Sequence, residues 1–277
     1  MRAKPLKTIA VTAKESVVNT KACYDVLKAL VSTFEVAAVP PVRHPKASTL
    51  NSLVEVTNRN YDAVVSLGGD GTLLNLVRCL ERQIPVLGIN LGGRGILNEL
   101  ELQDLPIALE KLRTGDYHLE RRVRLKTTVR KKALPQALNE VYLARPRHNI
   151  TPTFSLKFRD QVISSRMDGI IVSTPTGSTG YSYSAGGPVV LESLKVFIIT
   201  PVLPIYRVPP LVLPAGNIVL SSRSAFDVTI DGQQVFGADG CEEVKIAISP
   251  EPAYFIRFIP RPFKQLTKLL SGNAIQQ

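Results

Sequence analysis

The chain has little cysteine, little histidine and no long apolar run. Its three cysteines, Cys23, Cys79 and Cys241, are far apart and form no CxxC pair. That sparse, odd set excludes a disulfide framework and a structural zinc site, and it fits a reducing, cytoplasmic setting. The three histidines, His44, His118 and His148, sit in unlike contexts beside no serine or cysteine nucleophile, so neither triad nor metal chemistry is indicated. The apolar run after Lys7 is about six residues long, too short for a secretory signal. Val196–Pro214 is apolar but carries five prolines and an arginine, which argues against a membrane helix. Two phosphate-binding patterns are also missing. Without G-x-x-x-x-G-K-[ST] a Walker A triphosphatase is not expected, and without G-x-G-x-x-G after the first strand neither is a Rossmann dehydrogenase. Aromatics make up 6% and none interleave with the basic Arg122–Arg130 stretch, so nucleic acid is not an expected partner.

What is present fits a folded chain of one large or two modest domains. Of 277 residues, 44% are hydrophobic and 21% charged, enough for a sizeable core. The formal net charge is +11, which favours polyanionic partners such as nucleotides or polyphosphate.

The first third alternates strand and helix patterns. Thr8–Ala13, Glu35–Val39, Asp62–Leu67 and Pro85–Asn90 read as strands. Asn19–Phe34 with Asn19 as cap, Ser48–Asn58 with Ser48 as cap, Thr72–Arg82 and Leu102–Thr114 read as helices. Alternation of this kind predicts a parallel sheet with flanking helices. From about residue 115 strand patterns dominate. Arg121–Lys132 reads as one strand with Arg122, Arg124, Lys126 and Arg130 on a solvated face, and Val123, Leu125 and Val129 on the other. Further strands are expected at Ala137–Leu143, Thr153–Phe158, Gly169–Ser173, Ile218–Ser221, Ala225–Ile230, Val244–Ile248 and Tyr254–Phe258. The expected fold is therefore an α/β domain over residues 1–114 and a β-rich domain over 115–262. A short helix, Phe263–Leu270, packs back on the first domain.

Two glycine-rich segments carry the chemistry. Gly68-Gly69-Asp70-Gly71-Thr72 follows a buried strand and opens a helix, a place where α/β sheets bind ligands and where helix amides face an anion. Asp70 there reads as a helix cap, or as a group that holds Mg²⁺ or accepts a hydroxyl proton in phosphoryl transfer. Gly88–Gly95 forms a second glycine turn from which Asn90 reaches a ligand, or simply a loop. Asn139-Glu140 suits the two hydroxyls of a ribose, although an ordinary strand-end pair explains it as well. Arg166 and Asp168 share a strand face, as ligand groups or as a surface ion pair. The Thr174–Pro188 run offers hydroxyls, amides and two tyrosine rings for a base, more than a plain connector needs. Asp231-Gly232-Gln233 is first a hairpin signal.

In their order and spacing these segments resemble the NAD kinase family over nearly the whole chain. GGDGT alone is shared with 6-phosphofructokinases and lipid kinases. The run DGIIVSTPTGSTGYSYSAGGP, Asp168–Pro188, is far more specific. The resemblance implies a two-domain architecture with the site between the domains, and transfer of phosphate to the adenosine ribose 2′-hydroxyl of NAD. It implies ATP or polyphosphate as donor and a divalent metal, typically Mg²⁺, with no dedicated protein ligands assigned. Asp70 is then the catalytic base, Gly71 lines the phosphate site, and Gly68, Gly69, Thr72 and Asn90 also bind substrate or nucleotide. Asn139 and Glu140 hold ribose hydroxyls. Arg166, Asp168, Thr179, Gly180, Tyr181, Ser182, Tyr183, Ser184 and Gln233 bind the dinucleotide. The family also implies a homodimer or homotetramer in the cytoplasm, away from any membrane. The chain departs from the family at Gly92–Leu97, where an aromatic is replaced by Ile96 beside Arg94. It departs again at Val202 and Pro204, which stand where histidine and serine are common. Competing readings are a lipid or sugar kinase sharing GGDGT, and a non-catalytic NAD(P) sensor or RNA binder.

Overall fold

The computed structural model describes residues 3–92, 95–146, 150–260 and 266–267. The expected helix Phe263–Leu270 and the residues Gly93, Arg94 and His148 lie outside these apart from 266–267. The chain divides into two compact units. One runs from the N-terminus to Arg121 and takes back the chain from Ala253, and the other is Arg122–Pro252.

The first unit is α/β. Its strands are β1 (Thr8–Ala13), β2 (Glu35–Ala38), β3 (Ser48–Thr49), β4 (Ala63–Leu67), β5 (Val86–Ile89), β6 (His118–Arg122) and β19 (Ala253–Arg257), in sheet order β3-β2-β1-β4-β5-β19-β6. β2, β1, β4 and β5 pair in parallel, and β4 and β5 are buried along their whole length. Such continuous apolar runs belong in a sheet covered on both faces. The covering helices are α1 (Glu15–Val18), α2 (Lys21–Thr33), α3 (Leu53–Asn58), α4 (Asp70–Cys79) and α5 (Leu105–Thr114). α2 buries Cys23, Val26, Leu27 and Leu30, one stripe at helical spacing. α5 ends where Gly115 turns left-handed at φ 74°, a conformation that glycine adopts without a Cβ clash. Each Leu or Ile fully buried here contributes about 1.5–3 kcal/mol.

Several boundaries differ from those expected. Asn19 does not cap α2, because Thr20 does so, its Oγ1 accepting from Cys23 N at 3.2 Å. Ser48 starts no helix. It lies in β3, paired with Ala37, and α3 begins at Leu53. α4 starts at Asp70 rather than Thr72. The strand at 253–257 joins the first sheet beside β5, with Phe255 opposite Val86, instead of closing the β-rich region.

The second unit is a pair of six-stranded antiparallel sheets. One contains β7 (Leu125–Val129), β8 (Lys132–Ala133), β10 (Thr153–Phe158), β11 (Gln161–Arg166), β15 (Asn217–Ser222) and β18 (Glu243–Ile248). The other contains β9 (Glu140–Ala144), β12 (Gly169–Ser173), β13 (Val196–Val202), β14 (Leu211–Pro214), β16 (Phe226–Ile230) and β17 (Gln234–Ala238), with the short helix α6 (Tyr181–Ser184) on it. Alternate residues of both sheets make one core, including Val141, Leu143, Phe154, Val172, Phe197, Ile218, Leu220 and Phe226. Phe154 and Phe226 meet edge to face with centroids 6.1 Å apart.

The basic face expected along Arg121–Lys132 is corrected. The stretch breaks between β6 and β7, and Arg122 and Arg124 are buried at 2% and 1% exposure. Arg122 reaches Thr176 Oγ1 at 3.4 Å and lies 3.9 Å from the buried Glu192 carboxylate. Arg124 donates to Glu251 O at 2.9 Å. Burial lowers its pKa to about 10, against the pull of Glu251 and Asp231. Alternation located the apolar face correctly, and Lys126 and Arg130 are exposed as expected, but Arg122 and Arg124 on the same polar side are covered.

Candidate active site

In the first unit the chain leaves β1 and β4 in opposite directions, β2 and β3 building out on one side and β5 on the other. That divergence is the topological switch point, where open α/β sheets bind ligands beyond the strand C-termini. Gly68–Thr72 sits there. Gly68 adopts φ +147°, and a Cβ on it would fall 2.7 Å from Thr72 Oγ1. The turn therefore packs tightly and opens directly into α4, whose first residue is Asp70. The helix end adds partial positive charge and outward amides at this point.

Asp70 does not hang free. Its Oδ1 accepts from Leu97 N (3.1 Å), Asn98 N (3.3 Å) and Asn98 Nδ2 (2.9 Å), and its Oδ2 from Ile96 N (2.6 Å). Four donors aim the carboxylate from the segment just after β5. Asn98, 2% exposed, was not legible as a site residue, since its partner lies 28 positions earlier. Further out, Arg257 Nη1 donates to Leu97 O (2.9 Å) and Glu99 (3.2 Å), and its Nε to Glu120 (2.6 Å). This buried arginine pins the segment that aims Asp70. Asn90 follows β5, its N–H donating to Leu100 O at 2.9 Å.

In the second unit Asp231 organises the start of β9. Asp231 and Gly232 have φ of 49° and 64°, the left-handed pair of a type I′ turn. The turn brings the Asp231 carboxylate onto three backbone N–H groups, Leu138 (2.9 Å), Asn139 (2.7 Å) and Glu140 (3.1 Å). Its charge is thus satisfied although it is 5% exposed. Beside it, Glu140 is equally buried, and its pKa rises to about 8, first from burial and then from the Asp231 charge. Glu140 Oε2 and Asn139 Oδ1 are buried and have no hydrogen-bond partner among the described residues. A Cβ on Gly180 would lie 3.8 Å from that Glu140 oxygen and 3.9 Å from Asn139 Nδ2. The fold therefore gathers Asn139, Glu140 and Gly180 around two unsatisfied acceptors.

The hydroxyl-rich loop is sewn to this corner by its own side chains. Thr174 Oγ1 donates to Leu138 O (2.6 Å), and Ser173 Oγ to Asn139 O (3.1 Å). Ser178 Oγ accepts from Val190 N (3.0 Å), and Ser182 shares a hydrogen with Thr200 (2.8 Å). Ser182 thus faces inward, while Thr179 is half-buried and Tyr181, Tyr183 and Ser184 are exposed. Arg166 and Asp168 do not share a strand face. Arg166 ends β11, exposed, and Asp168 pairs with Arg145 at 2.7 Å. Gln233 sits exposed in the Asp231 turn. Arg145 and Tyr142, whose ring meets Tyr181 at 5.2 Å, had no motif to announce them.

Among the described residues no three His, Cys, Asp or Glu side chains gather as a metal cage, and no helix is long and apolar enough to cross a membrane.

Comparison with known proteins shows the family. Residues 2–117 match the model of the ATP-NAD kinase N-terminal domain, and 138–258 that of the ATP-NAD kinase C-terminal domain. The chain is 36% identical over 216 residues to the NAD kinase of Thermococcus gammatolerans, covering 74% of this chain and 77% of that one. It is 36% identical over 226 residues to the NAD kinase of Carboxydothermus hydrogenoformans, covering 78% and 81%. Among solved structures, an NAD kinase from Archaeoglobus fulgidus in complex with ATP superposes with TM-score 0.77 at 30% identity, covering 95% of this chain and 99% of that one. The fold of yeast NADH kinase complexed with NADH superposes with TM-score 0.85 at 23% identity, covering 99% and 89%.

Proposed function

The chain belongs to the NAD kinase family and phosphorylates NAD to NADP, and from that premise we propose the part each residue plays. The observation that carries the assignment is the pair of buried, partnerless oxygens on Asn139 and Glu140. Two adjacent acceptors match the two adjacent hydroxyls of a ribose, and leaving them empty is costly. These residues hold the adenosine ribose. The exposed rings of Tyr181 and Tyr183, with Gly180, Thr179 and Ser184, lie along the dinucleotide. Asp168 and Gln233 bind its further parts, and exposed Arg166 contributes charge. Ser182 supports the loop from inside through Thr200.

Asp70 accepts the proton of the 2′-hydroxyl as that oxygen attacks the terminal phosphorus of ATP, and the bond from that phosphorus to the bridging oxygen breaks to release ADP. Its orientation is set in advance by Ile96, Leu97 and Asn98, so little reorganisation accompanies transfer. Gly68, Gly69, Gly71 and Thr72 at the N-terminus of α4, with Asn90 nearby, receive the donor's phosphates.

A divalent metal such as Mg²⁺ fits this arrangement as an ion carried by the donor's phosphates with one protein carboxylate. The described residues form no cage of three ligands, and Asp70 Oδ2 accepts from a single described N–H, leaving it capacity for an ion. When bound, such an ion neutralises phosphate charge. The +11 net charge suits inorganic polyphosphate as an alternative donor. A homodimer or homotetramer is the assembly expected from the family resemblance, and sedimentation measures it directly.

The test is a coupled assay. Pure protein receives NAD, Mg²⁺ and either ATP or polyphosphate, and an NADP-specific dehydrogenase reads the product. NADP formation that requires both NAD and a donor is expected. Phosphate transfer to diacylglycerol or fructose 6-phosphate instead would overturn the assignment.

A further inference from the structure

We propose that Tyr142 is a positioning residue for the dinucleotide platform, holding the Tyr181 ring on edge so that its open side is presented to the base. The proposal rests on the reading that Tyr181 lies against the dinucleotide.

β9 places Tyr142 two residues after Glu140, so both side chains leave the sheet on the face away from the core. The Tyr142 and Tyr181 rings stand edge to face, with centroids 5.2 Å apart and planes at 81°. Tyr142 is half-buried, whereas Tyr181 is 45% exposed at the start of the four-residue helix α6. So short a helix gives Tyr181 little support of its own.

The sheet is shaped to hold Tyr142. Gly169 lies on the neighbouring strand β12, buried. A Cβ there would fall 2.5 Å from Tyr142 Cε2 and 2.9 Å from its hydroxyl oxygen. The same Cβ would fall 2.5 Å from Leu143 O, so any other residue at 169 would meet the neighbouring backbone as well as the ring. Glycine weakens a strand interior, and close approach of another group is one reason to find it there. Beyond the ring is the Arg145–Asp168 ion pair, whose charges both act on the Tyr142 hydroxyl. Tyr142 is therefore fixed from beneath by Gly169 and flanked by charges of both signs. A ring so held transfers its order to Tyr181, which then need not be immobilised when the ligand arrives.

The test compares Tyr142→Ala, Tyr142→Phe and Tyr181→Ala, alone and combined. The worth of an edge-to-face pair corresponds to about a two- to tenfold change. Tyr142→Ala is expected to raise KM for NAD by about that factor, with kcat and the KM for ATP unchanged. Tyr142→Phe keeps the ring contact and is expected to recover most of the loss. In the Tyr181→Ala background, Tyr142→Ala should add nothing. If Tyr181→Ala raises KM for NAD and Tyr142→Ala does not, or if their effects add in full, the positioning role is overturned while Tyr181 keeps its place. If Tyr181→Ala leaves KM for NAD untouched, the underlying reading falls and the proposal goes with it. A loss confined to kcat, or to thermal stability, also overturns it.

Discussion

Asn98 donates its side-chain N–H to Asp70 Oδ1 at 2.9 Å across 28 positions of sequence. The backbone amides of 96, 97 and 98 complete the set, so one short segment fixes both oxygens of the carboxylate. Asp70 itself is fixed at the first position of α4. Its direction therefore depends on two elements of the first unit. Disturbing either should affect transfer more than binding.

Asp70→Asn tests the carboxylate directly. The amide keeps the size of the side chain but cannot take a proton. Loss of general-base help costs about 10²–10⁴-fold in kcat. NAD affinity, measured by calorimetry, should stay within about threefold of the parent, because this residue touches the reacting hydroxyl rather than the rest of the dinucleotide. A variant that retains full turnover would remove Asp70 from the chemistry.

Asn98→Ala tests the aim rather than the acid. A hydrogen bond to a charged group contributes about 1.5–3 kcal/mol, and its loss here loosens the carboxylate without removing it. We expect kcat to fall by about tenfold and KM for NAD to stay level. Gly88→Ala should reproduce the defect from the other side, since a Cβ there would lie 2.2 Å from Asn98 Oδ1. Steady-state kinetics on both variants checks this. A change in KM with unchanged kcat would contradict it.

Arg257→Met asks whether the outer support matters. Arg257 is 4% exposed and joins Glu99, Glu120 and Leu97 O. Removing one partner of a buried ion pair costs about 3–5 kcal/mol, because the carboxylates beside it lose their paired positive charge. Glu99 is the more buried of the two acids, at 7% side-chain exposure. The expected outcome is a clear drop in the thermal midpoint, with kcat of the still-folded protein reduced as the 97–99 segment shifts. Unchanged melting and unchanged kcat would show that the segment holds itself.

The extent to which these features were readable from sequence follows their range. β1, β4 and β5 were legible because parallel strands buried on both faces are plain apolar runs. The Asp231-Gly232 turn was legible because two adjacent left-handed residues leave a local signature. Ser48 was misread because a two-residue strand carries no periodicity, and its pairing with Ala37 is tertiary. Arg122 and Arg124 looked like a solvated face because alternation reports where the apolar side is, not whether the polar side is covered. The hydroxyls of Thr174, Ser178 and Ser182 looked available, but backbone and side-chain atoms of the same unit claim them. Asn98, Arg145 and Arg257 were missed for one reason: their partners are distant in sequence, and nothing near them marks a polar side chain for burial.

Glu140 gives a prediction in pH. Its folded pKa is raised from the ordinary 4.5 to about 8, by burial first and by the Asp231 charge second. Between those values the folded chain keeps the proton and the unfolded chain has lost it. The favourable contribution is therefore fully present below about 4.5 and is lost as pH rises toward 8. Within that window this group alone lowers stability by up to about 1.4 kcal/mol per pH unit. Glu140→Gln removes the titration and keeps the shape. Thermal unfolding of both proteins from pH 5 to pH 8 should show the variant gaining on the parent as pH rises. The gap should be smallest at pH 5. The same variant should bind NAD less tightly above pH 8, since the amide presents one carbonyl oxygen where the ionised carboxylate presents two acceptors to the ribose. Parallel stability profiles would mean that Glu140 is ionised in the folded chain, with a cation or water closing the corner that Asn139 and Gly180 surround.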